Sequence, residues 1–293
     1  MKIVVVGETG QVARALAEAA PEGTVFLGRD KLDLENPEKI RDVLVPEGAD
    51  VVINAAAYTA VDKAEEERER AFVINGEAVG ALAAAAAETG AAFVHLSTDY
   101  VYPGDKAGLN LESDPVDPIN AYGASKLAGE EAALAANPRS VILRTAWVYA
   151  PWGKNFVLTM LRLAERERLT VVEDQHGQPT SALDIAEACL AVARRVAEAP
   201  ADDPVFGVYH YAGAGPTTWA EFARATFTKA KTLGLIETAP DVAGIPTSAY
   251  PTPAKRPANS TLDCTRFEQA FATATVPWPD ALQTTLERLA ANR

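Results

Sequence analysis

The sequence predicts an α/β fold: a parallel sheet wound by helices on both faces, joined to a smaller, loop-rich C-terminal lobe. Three observations carry this expectation. Short β-branched runs alternate with longer Ala-, Leu- and Glu-rich stretches through the first half, as βαβ crossovers require. The second half changes texture, with most of the 19 prolines falling after residue 110. The 293 residues, 48% apolar and 23% charged, suffice for one large domain or two unequal lobes around a substantial core.

Taken in order, Ile3–Val6, Val25–Leu27, Val51–Ile53, Phe93–Leu96 and Val141–Leu143 have strand length and β-branched character. Gln11–Ala20, Ala78–Glu88 and Ser125–Ala136 have helical composition. The alanine run Ala83–Ala87, preceded by Leu82 and followed by Gly90, reads as a tightly packed crossover helix with its stop. Later helices are expected at Phe156–Arg168, Leu183–Ala197, Thr218–Lys231 and Ala281–Ala291, with Thr218 and Glu221 at capping-box spacing. Proline-rich loops fall at Asp114–Pro118 and Pro246–Pro257.

Charge narrows the function classes. Twenty-seven Lys and Arg stand against 40 Asp and Glu, a net charge of −13. Such a field repels nucleic acid and anionic membranes while leaving room for an anionic small molecule met by local amides and cations. No apolar run approaches the roughly 18–20 residues of a membrane span, and the opening MKIVVVGETG lacks the features of a signal peptide. Cys189 and Cys264 are too few for a disulfide scaffold and read as small core residues of a reducing, cytoplasmic protein. His95, His176 and His210 show no metal-ligand spacing, and His95 falls within a strand as a core residue or one behind the site. The mixed-charge run Glu65–Arg70 reads as a solvated helix start, and Trp152, Trp219 and Trp278 as packing of the smaller lobe.

Between the first strand and first helix stands Gly7-Glu-Thr-Gly10-Gln11-Val12-Ala13. Gly7 permits a tight turn, Gly10 lets backbone amides approach a pyrophosphate at the positive helix end, and Ala13 keeps helix and strand close. A nucleotide-hydrolysing P-loop would end in Gly-Lys-Ser/Thr, where this chain has Gln11-Val12. The ligand read here is a dinucleotide, and the fold a Rossmann-like doubly wound sheet. Residues 1–150 form the expected dinucleotide-binding domain. Residues 151–293 form mainly the substrate lobe, with parts of 170–200 and 245–265 returning to the sheet. Arg29, at the expected end of the second strand, favours a 2′-phosphate and hence NADPH, with NADH also used. Asp30 and Asp33 beside it carry the opposite implication, and Asp33 and Leu34 are assigned to the same adenosine end.

Tyr122-Gly-Ala-Ser-Lys126 puts a phenol and an ammonium on one helix face. A neighbouring Lys⁺ would move the phenol from its usual ~10 toward the working range. Ser97-Thr98-Asp99-Tyr100 follows the strand Phe93–Leu96, where a hydroxyl can meet a substrate carbonyl beside the tyrosine. Strand end, helix face and phosphate loop are the parts of a hydride-transfer site.

Several runs carry a wider resemblance: Gly7-x-x-Gly10-Gln11, Asn54-Ala-Ala-Ala-Tyr-Thr-Ala-Val-Asp62, Ser97-Thr-Asp-Tyr-Val-Tyr102, Tyr122-x-x-x-Lys126-x-x-Gly-Glu130 and Arg144-Thr-Ala-Trp-Val-Tyr149. These resemble the extended short-chain dehydrogenase/reductases and, within them, the dTDP-4-dehydrorhamnose reductase family. The likeness continues through Asn155-Phe156, Asp174-Gln175, Pro179-Thr180, Pro246–Pro251 and Arg256-Pro257. It implies NAD(P)H-dependent reduction of the C4 keto group of a thymidine-diphospho-4-keto-6-deoxyhexose. By that resemblance Tyr122 is the proton donor, Lys126 holds the ribose hydroxyls and lowers the Tyr122 pKa, and Thr98 bonds the reacting oxygen with Asp99 close to the sugar. Ala56, Ala57, Tyr58 and Thr59 would line the cofactor, Trp147 would lie against the substrate, and Asn155 would help hold the nucleotide sugar. Relatives that bind Mg²⁺ between subunits use a glutamate in the first helix; Ala15 stands there, so no metal site and no metal-bridged dimer is expected, leaving a monomer or homodimer. Two other functions share the fold: a nucleotide-sugar epimerase or dehydratase, and a nonenzymatic regulatory subunit resembling the β subunit of methionine adenosyltransferase.

Overall fold

All five strands read from the first half form, and all five lie parallel in one sheet. The computed structural model describes residues 1–292. In it, β1 (Ile3–Val6), α1 (Gln11–Ala19), β2 (Val25–Leu27), α2 (Ile40–Leu44) and β3 (Val51–Asn54) lead into α3 (Arg68–Phe72) and α4 (Ala78–Glu88). There follow β4 (Ala92–Thr98), α5 (Ala121–Ala136), β5 (Ser140–Thr145), β6 (Val148–Tyr149), α6 (Phe156–Arg162), β7 (Arg168–Val172), β8 (His176–Gly177) and β9 (Thr180–Ser181). The remainder is α7 (Ala182–Val196), β10 (Gly207–His210), β11 (Thr217–Thr218), α8 (Trp219–Thr232), β12 (Asp241–Ile245), α9 (Thr265–Phe271) and α10 (Trp278–Ala291).

The six-stranded sheet has the order β2-β1-β3-β4-β5-β10. Its strands are apolar on both faces because helices cover both. Alternation sorts the side chains. Ile3, Val5, Ile53, Val94, Val141 and Leu143 pack toward α1 and α7. Val4, Val6, Val52, Phe93 and Ile142 face α2, α4 and Ala133 of α5. Registers Val6↔Asn54 and Thr98↔Thr145 bring the carboxyl ends of β1, β3, β4 and β5 to one edge of the sheet, where open α/β sheets place their ligands. The reversal of strand order lies between β1 and β3, beside the glycine-rich turn.

Over that edge lies the smaller lobe. The parallel pair β7/β12 packs with α6 and α8 around Met160, Leu169, Phe227 and Val242. Helices α8 and α10 close a second cluster around Tyr149, Phe222 and Leu286. Helix α7 lies against the large sheet and β10 adds its sixth strand beside β5, whereas residues 246–264 run across the carboxyl edge, with Leu262 and Cys264 against Val101 and Tyr102.

Several boundaries differ from the sequence-based expectation. The helix expected over Phe156–Arg168 stops at Arg162, and Arg168 opens β7. The β-branched Thr170-Val171-Val172 finds a strand partner in β12, a pairing that wins over helical composition. Strand β4 runs on through Ser97 and Thr98, and β2 ends at Leu27, two residues before Arg29. Helix α5 begins at Ala121, capped by Asn120, whose side chain accepts from Gly123 N at 2.8 Å. A π-helical turn over Val73–Glu77 joins α3 to α4. The continuous helical segment Arg68–Glu88 is 21 residues long and holds an 18-residue window of mean hydropathy 1.3, long and apolar enough by composition to cross a membrane, contrary to the expectation that no apolar run approaches that length. Half of its apolar window is buried inside the molecule, as in a core helix.

Candidate active site

A cavity of about 730 Å³ opens along the carboxyl edge of the sheet. At its outer end is the turn from β1 into α1. Gly7 has φ +110°, and a Cβ there would lie 3.4 Å from Ala55 and Ala56, so a side chain would be strained and crowded. Gly10 is the N-cap of α1 with φ −66°, contributes no capping side chain, and is followed by a first turn free of acids. The amides at that helix end therefore present their partial positive charge to the cavity. A pyrophosphate fits this turn on geometry alone.

Of the residues read as cofactor-binding, Gly7, Gly10, Gln11, Val12, Arg29, Asp33, Leu34, Ala56, Ala57, Thr59, Tyr122 and Lys126 all line the cavity. Tyr58 does not. Its backbone is tied to Asn75, which accepts from Tyr58 N at 2.8 Å and donates to Tyr58 O at 3.0 Å. Asn75 also donates to Ser125 Oγ at 3.0 Å and so locks this loop to α5. At the adenosine-side rim the Arg29 guanidinium contacts Asp33 at 3.4 Å and bonds Glu35, which also pairs with Arg70. Those arginines, Arg70 above all, hold the Glu35 carboxyl below the usual range.

At the inner end Tyr122 stands in the first turn of α5, partly buried, with the Tyr100 ring edge-on at 5.9 Å. Burial pushes its phenol up to about 12, the Thr98 hydroxyl opposing and Asp99 adding to the rise. The expected lowering by Lys126 is absent here. Lys126 is only 1% exposed, and its Nζ donates to Leu96 O at 2.6 Å and lies 3.1 Å from His95 Nε2. A phenol with a raised pKa is protonated at neutral pH, the state a proton donor requires. Burial lowers Lys126 to about 8.

Thr98 and Asp99 lie just beyond the cavity lining, on the same strand end. Thr98 Oγ1 donates to Asp99 Oδ1 at 3.0 Å. Burial raises Asp99 to about 7 against the opposing pull of the Ser260 and Thr98 hydroxyls. Behind them a charged cluster braces β4, α5 and β5. Arg144 grips Glu130 through Nε at 3.0 Å and Nη2 at 2.6 Å, and reaches Tyr102 Oη at 2.7 Å. Ser97 bonds the same carboxylate.

The two remaining candidates sit in the joint between lobes. Trp147 has φ +45° and its indole stacks on Trp219 at 3.5 Å and 6°, a partner that sequence reading left to lobe packing. Asn155 caps α6 by accepting from Leu158 N at 3.0 Å. Its Nδ2 donates to Gln11 Oε1 at 2.8 Å and to Ala150 O at 2.9 Å, so a ligand that accepts from this amide must replace one of these bonds. Ala15, at the first-helix position discussed above, is buried in the core shared by α1 and α7. Sequence reading also missed Lys154, Ser97 and Thr145 in the cavity wall. Lys154 is signalled only as a cation beside Gly153, whereas Ser97 and Thr145 stand within runs already singled out, at the carboxyl ends of β4 and β5.

The family described as RmlD substrate binding domain matches residues 1–291. The chain belongs to this family. Among its relatives is a dTDP-4-dehydrorhamnose reductase of Burkholderia thailandensis, 47% identical over 284 residues and covering 95% of each chain. The dTDP-4-dehydrorhamnose reductase structure from Clostridium acetobutylicum superposes with a TM-score of 0.90 at 34% identity, covering 99% of both chains. That from Bacillus anthracis, solved in complex with NADP, gives 0.89 at 31% identity over 98% of this chain and 99% of its own. The fold of the family is therefore the fold of this chain, and its members are oxidoreductases.

Proposed function

We propose that this protein reduces the C4 keto group of dTDP-4-dehydro-L-rhamnose to give dTDP-L-rhamnose, with NADPH as preferred reductant and NADH as a poorer one. The observation that carries the reading is one continuous cavity, with an uncapped helix end at its mouth and a protonated phenol and a buried lysine at its inner wall. Bound reduced nicotinamide supplies the hydride. Backbone amides of Gly10, Gln11 and Val12 hold the pyrophosphate over the tight turn at Gly7, whose own N–H is given to Leu27 O at 2.8 Å, and Arg29, Asp33 and Leu34 meet the adenosine end. Ala56, Ala57, Tyr58 and Thr59 flank the dinucleotide. Tyr122 Oη gives its proton to the C4 oxygen as that oxygen gains charge, Thr98 Oγ1 orients the same oxygen, and Lys126 holds the ribose hydroxyls. Asp99 contacts the sugar, Trp147 offers a flat apolar wall for thymine or sugar, and Asn155 fixes the loop facing Gln11.

In this reading residues 1–150 carry the dinucleotide and residues 151–293 mainly the sugar nucleotide, parts of 170–200 and 245–265 lying with the first domain. The protein works in the cytoplasm as a monomer or homodimer, with neither nucleic acid nor membrane as partner. Ala15 offers no ligand from the first helix to a metal ion between subunits. The deciding experiment incubates purified protein with NADPH and dTDP-4-dehydro-L-rhamnose. One NADPH should be consumed per dTDP-L-rhamnose formed. Conversion without net NADPH loss would indicate an epimerase or dehydratase, and NADPH binding without turnover a regulatory subunit. Tyr122→Phe should lower kcat by roughly 10²–10⁴-fold with cofactor affinity retained.

A further inference from the structure

Behind Lys126 runs a buried hydrogen-bond chain that no step above uses. It starts at the backbone N–H of Ala56, which donates to Asn54 Oδ1 at 3.1 Å. Asn54 Nδ2 meets His95 Nδ1 at 3.1 Å, and His95 Nε2 meets Lys126 Nζ at 3.1 Å. Asn54 and His95 are wholly buried, and Lys126 is 1% exposed.

The direction of this chain is fixed at its first link. A backbone N–H can only donate, so Asn54 turns its oxygen to Ala56 and its NH₂ to the imidazole. The reverse amide orientation would oppose two donors at Ala56. His95 Nδ1 must then accept, and a neutral ring carries its proton on Nε2, aimed at Lys126. An ammonium has no lone pair to receive that proton. Nζ meanwhile donates to Leu96 O at 2.6 Å. Both contacts of Nζ are satisfied together only when Lys126 is a neutral amine.

We propose that His95, oriented by Asn54, is a positioning residue that holds Lys126 toward its neutral form in the cofactor-free protein, and that filling the cavity with an anionic dinucleotide makes Lys126 take up one proton. The second half rests on the dinucleotide site proposed above. The step is a simple protonation, Lys126 –NH₂ plus a solvent proton giving –NH₃⁺, with no change of oxidation state. Negative phosphates in the same cavity favour the charged amine by Coulomb attraction.

The other groups around Lys126 act as follows. Glu130, one turn along α5, favours the ammonium, but its carboxylate is engaged by Arg144 of β5. Tyr122, one turn earlier, is a neutral phenol. Asp99 follows β4, and burial raises it to about 7; β3 contributes only Asn54. Burial drives His95 well below the usual imidazole range, and the Lys126 charge acts in the same direction, consistent with a neutral ring.

The test is calorimetric titration with NADP⁺ in buffers of different ionisation enthalpy, which counts protons taken up per site. With Lys126 near 8, wild type should take up roughly three quarters of a proton at about pH 8.5 and almost none at about pH 6.5. Asn54→Asp gives His95 Nδ1–H an acceptor, reverses the ring, and lets Nε2 accept from an ammonium. Uptake at the higher pH should then vanish while NADP⁺ still binds. Should that variant fail to fold, His95→Gln makes the same test, its amide oxygen accepting from Lys126. Nitrogen NMR of lysine-labelled, cofactor-free wild type should show one Nζ titrating about two units below the others. Equal uptake in wild type and Asn54→Asp, or no early-titrating lysine, overturns the proposal. Failure of wild type to bind NADP⁺ sinks the dinucleotide reading instead, and the lysine titration still decides the role of His95.

Discussion

Asp99 carries a carboxylate oxygen, Oδ2, that is buried with no hydrogen-bond partner among the described residues. Burial raises its acid to about 7, against ~4 in an unfolded chain. Between those values the folded protein holds a proton that the unfolded chain has released, so stability falls as pH rises through that window. Asp99→Asn keeps the shape without the charge. It should raise Tm by a few degrees at pH 8, where the wild type must bury a charge, and hardly at all at pH 5, where Asp99 is already protonated. Equal Tm shifts at the two pH values would refute this. At the other end of the cavity, Arg29 is contested by two carboxylates, Asp33 and Glu35. Arg29→Ala should weaken NADPH roughly tenfold or more by loss of a charged hydrogen bond and NADH much less. Glu35→Gln should tighten NADPH by freeing the guanidinium. Equal losses for both cofactors in binding titrations would show that another residue reads the phosphate.

At the scale of elements, α5 is seated by the absence of a side chain. A Cβ on Gly129 would run into the carbonyl oxygen of Asn75 in the π-helical turn. Gly129→Val should therefore lower stability by about 1–3 kcal/mol. It should also lower kcat, because Tyr122 and Lys126 ride on the same helix; melting curves with wild-type Tm would argue that the turn yields freely. The buried strands and the glycine-rich turn were legible because burial on both faces writes itself as an unbroken β-branched run. The boundary of α6 was not. Phe156–Arg168 reads as one helix until β12, some seventy residues later, offers Arg168–Val172 a strand partner. The same distance hid Trp219 behind Trp147. Residue types pointed to Tyr122, Lys126 and Thr98, but the neighbours that set their protons, Leu96 O, His95 and Ser260, belong to contacts that spacing does not encode.

Across the whole molecule, residues 246–264 are strapped over the carboxyl edge of the sheet. Arg256 grips Asp62 through two bonds of 2.8 and 2.9 Å, Lys255 O accepts from Asn120 Nδ2 at 2.8 Å, and Thr247 N donates to Asp174 at 2.8 Å. The sheet itself is closed at its far side by a strand that arrives late: β10 pairs with β5 along Val141–Arg144 across about sixty intervening residues. This has a consequence for synthesis. Until residue 210 leaves the ribosome, β5 presents a row of unpaired backbone groups on a strand whose six residues are all buried in the finished protein, an open invitation to edge-to-edge association. A fragment ending at residue 150 should therefore aggregate in light scattering, despite containing every cavity residue before Gly153, and the full-length protein should not. If the short fragment stays monomeric, the nascent sheet has some other means of protecting its edge while it waits for β10.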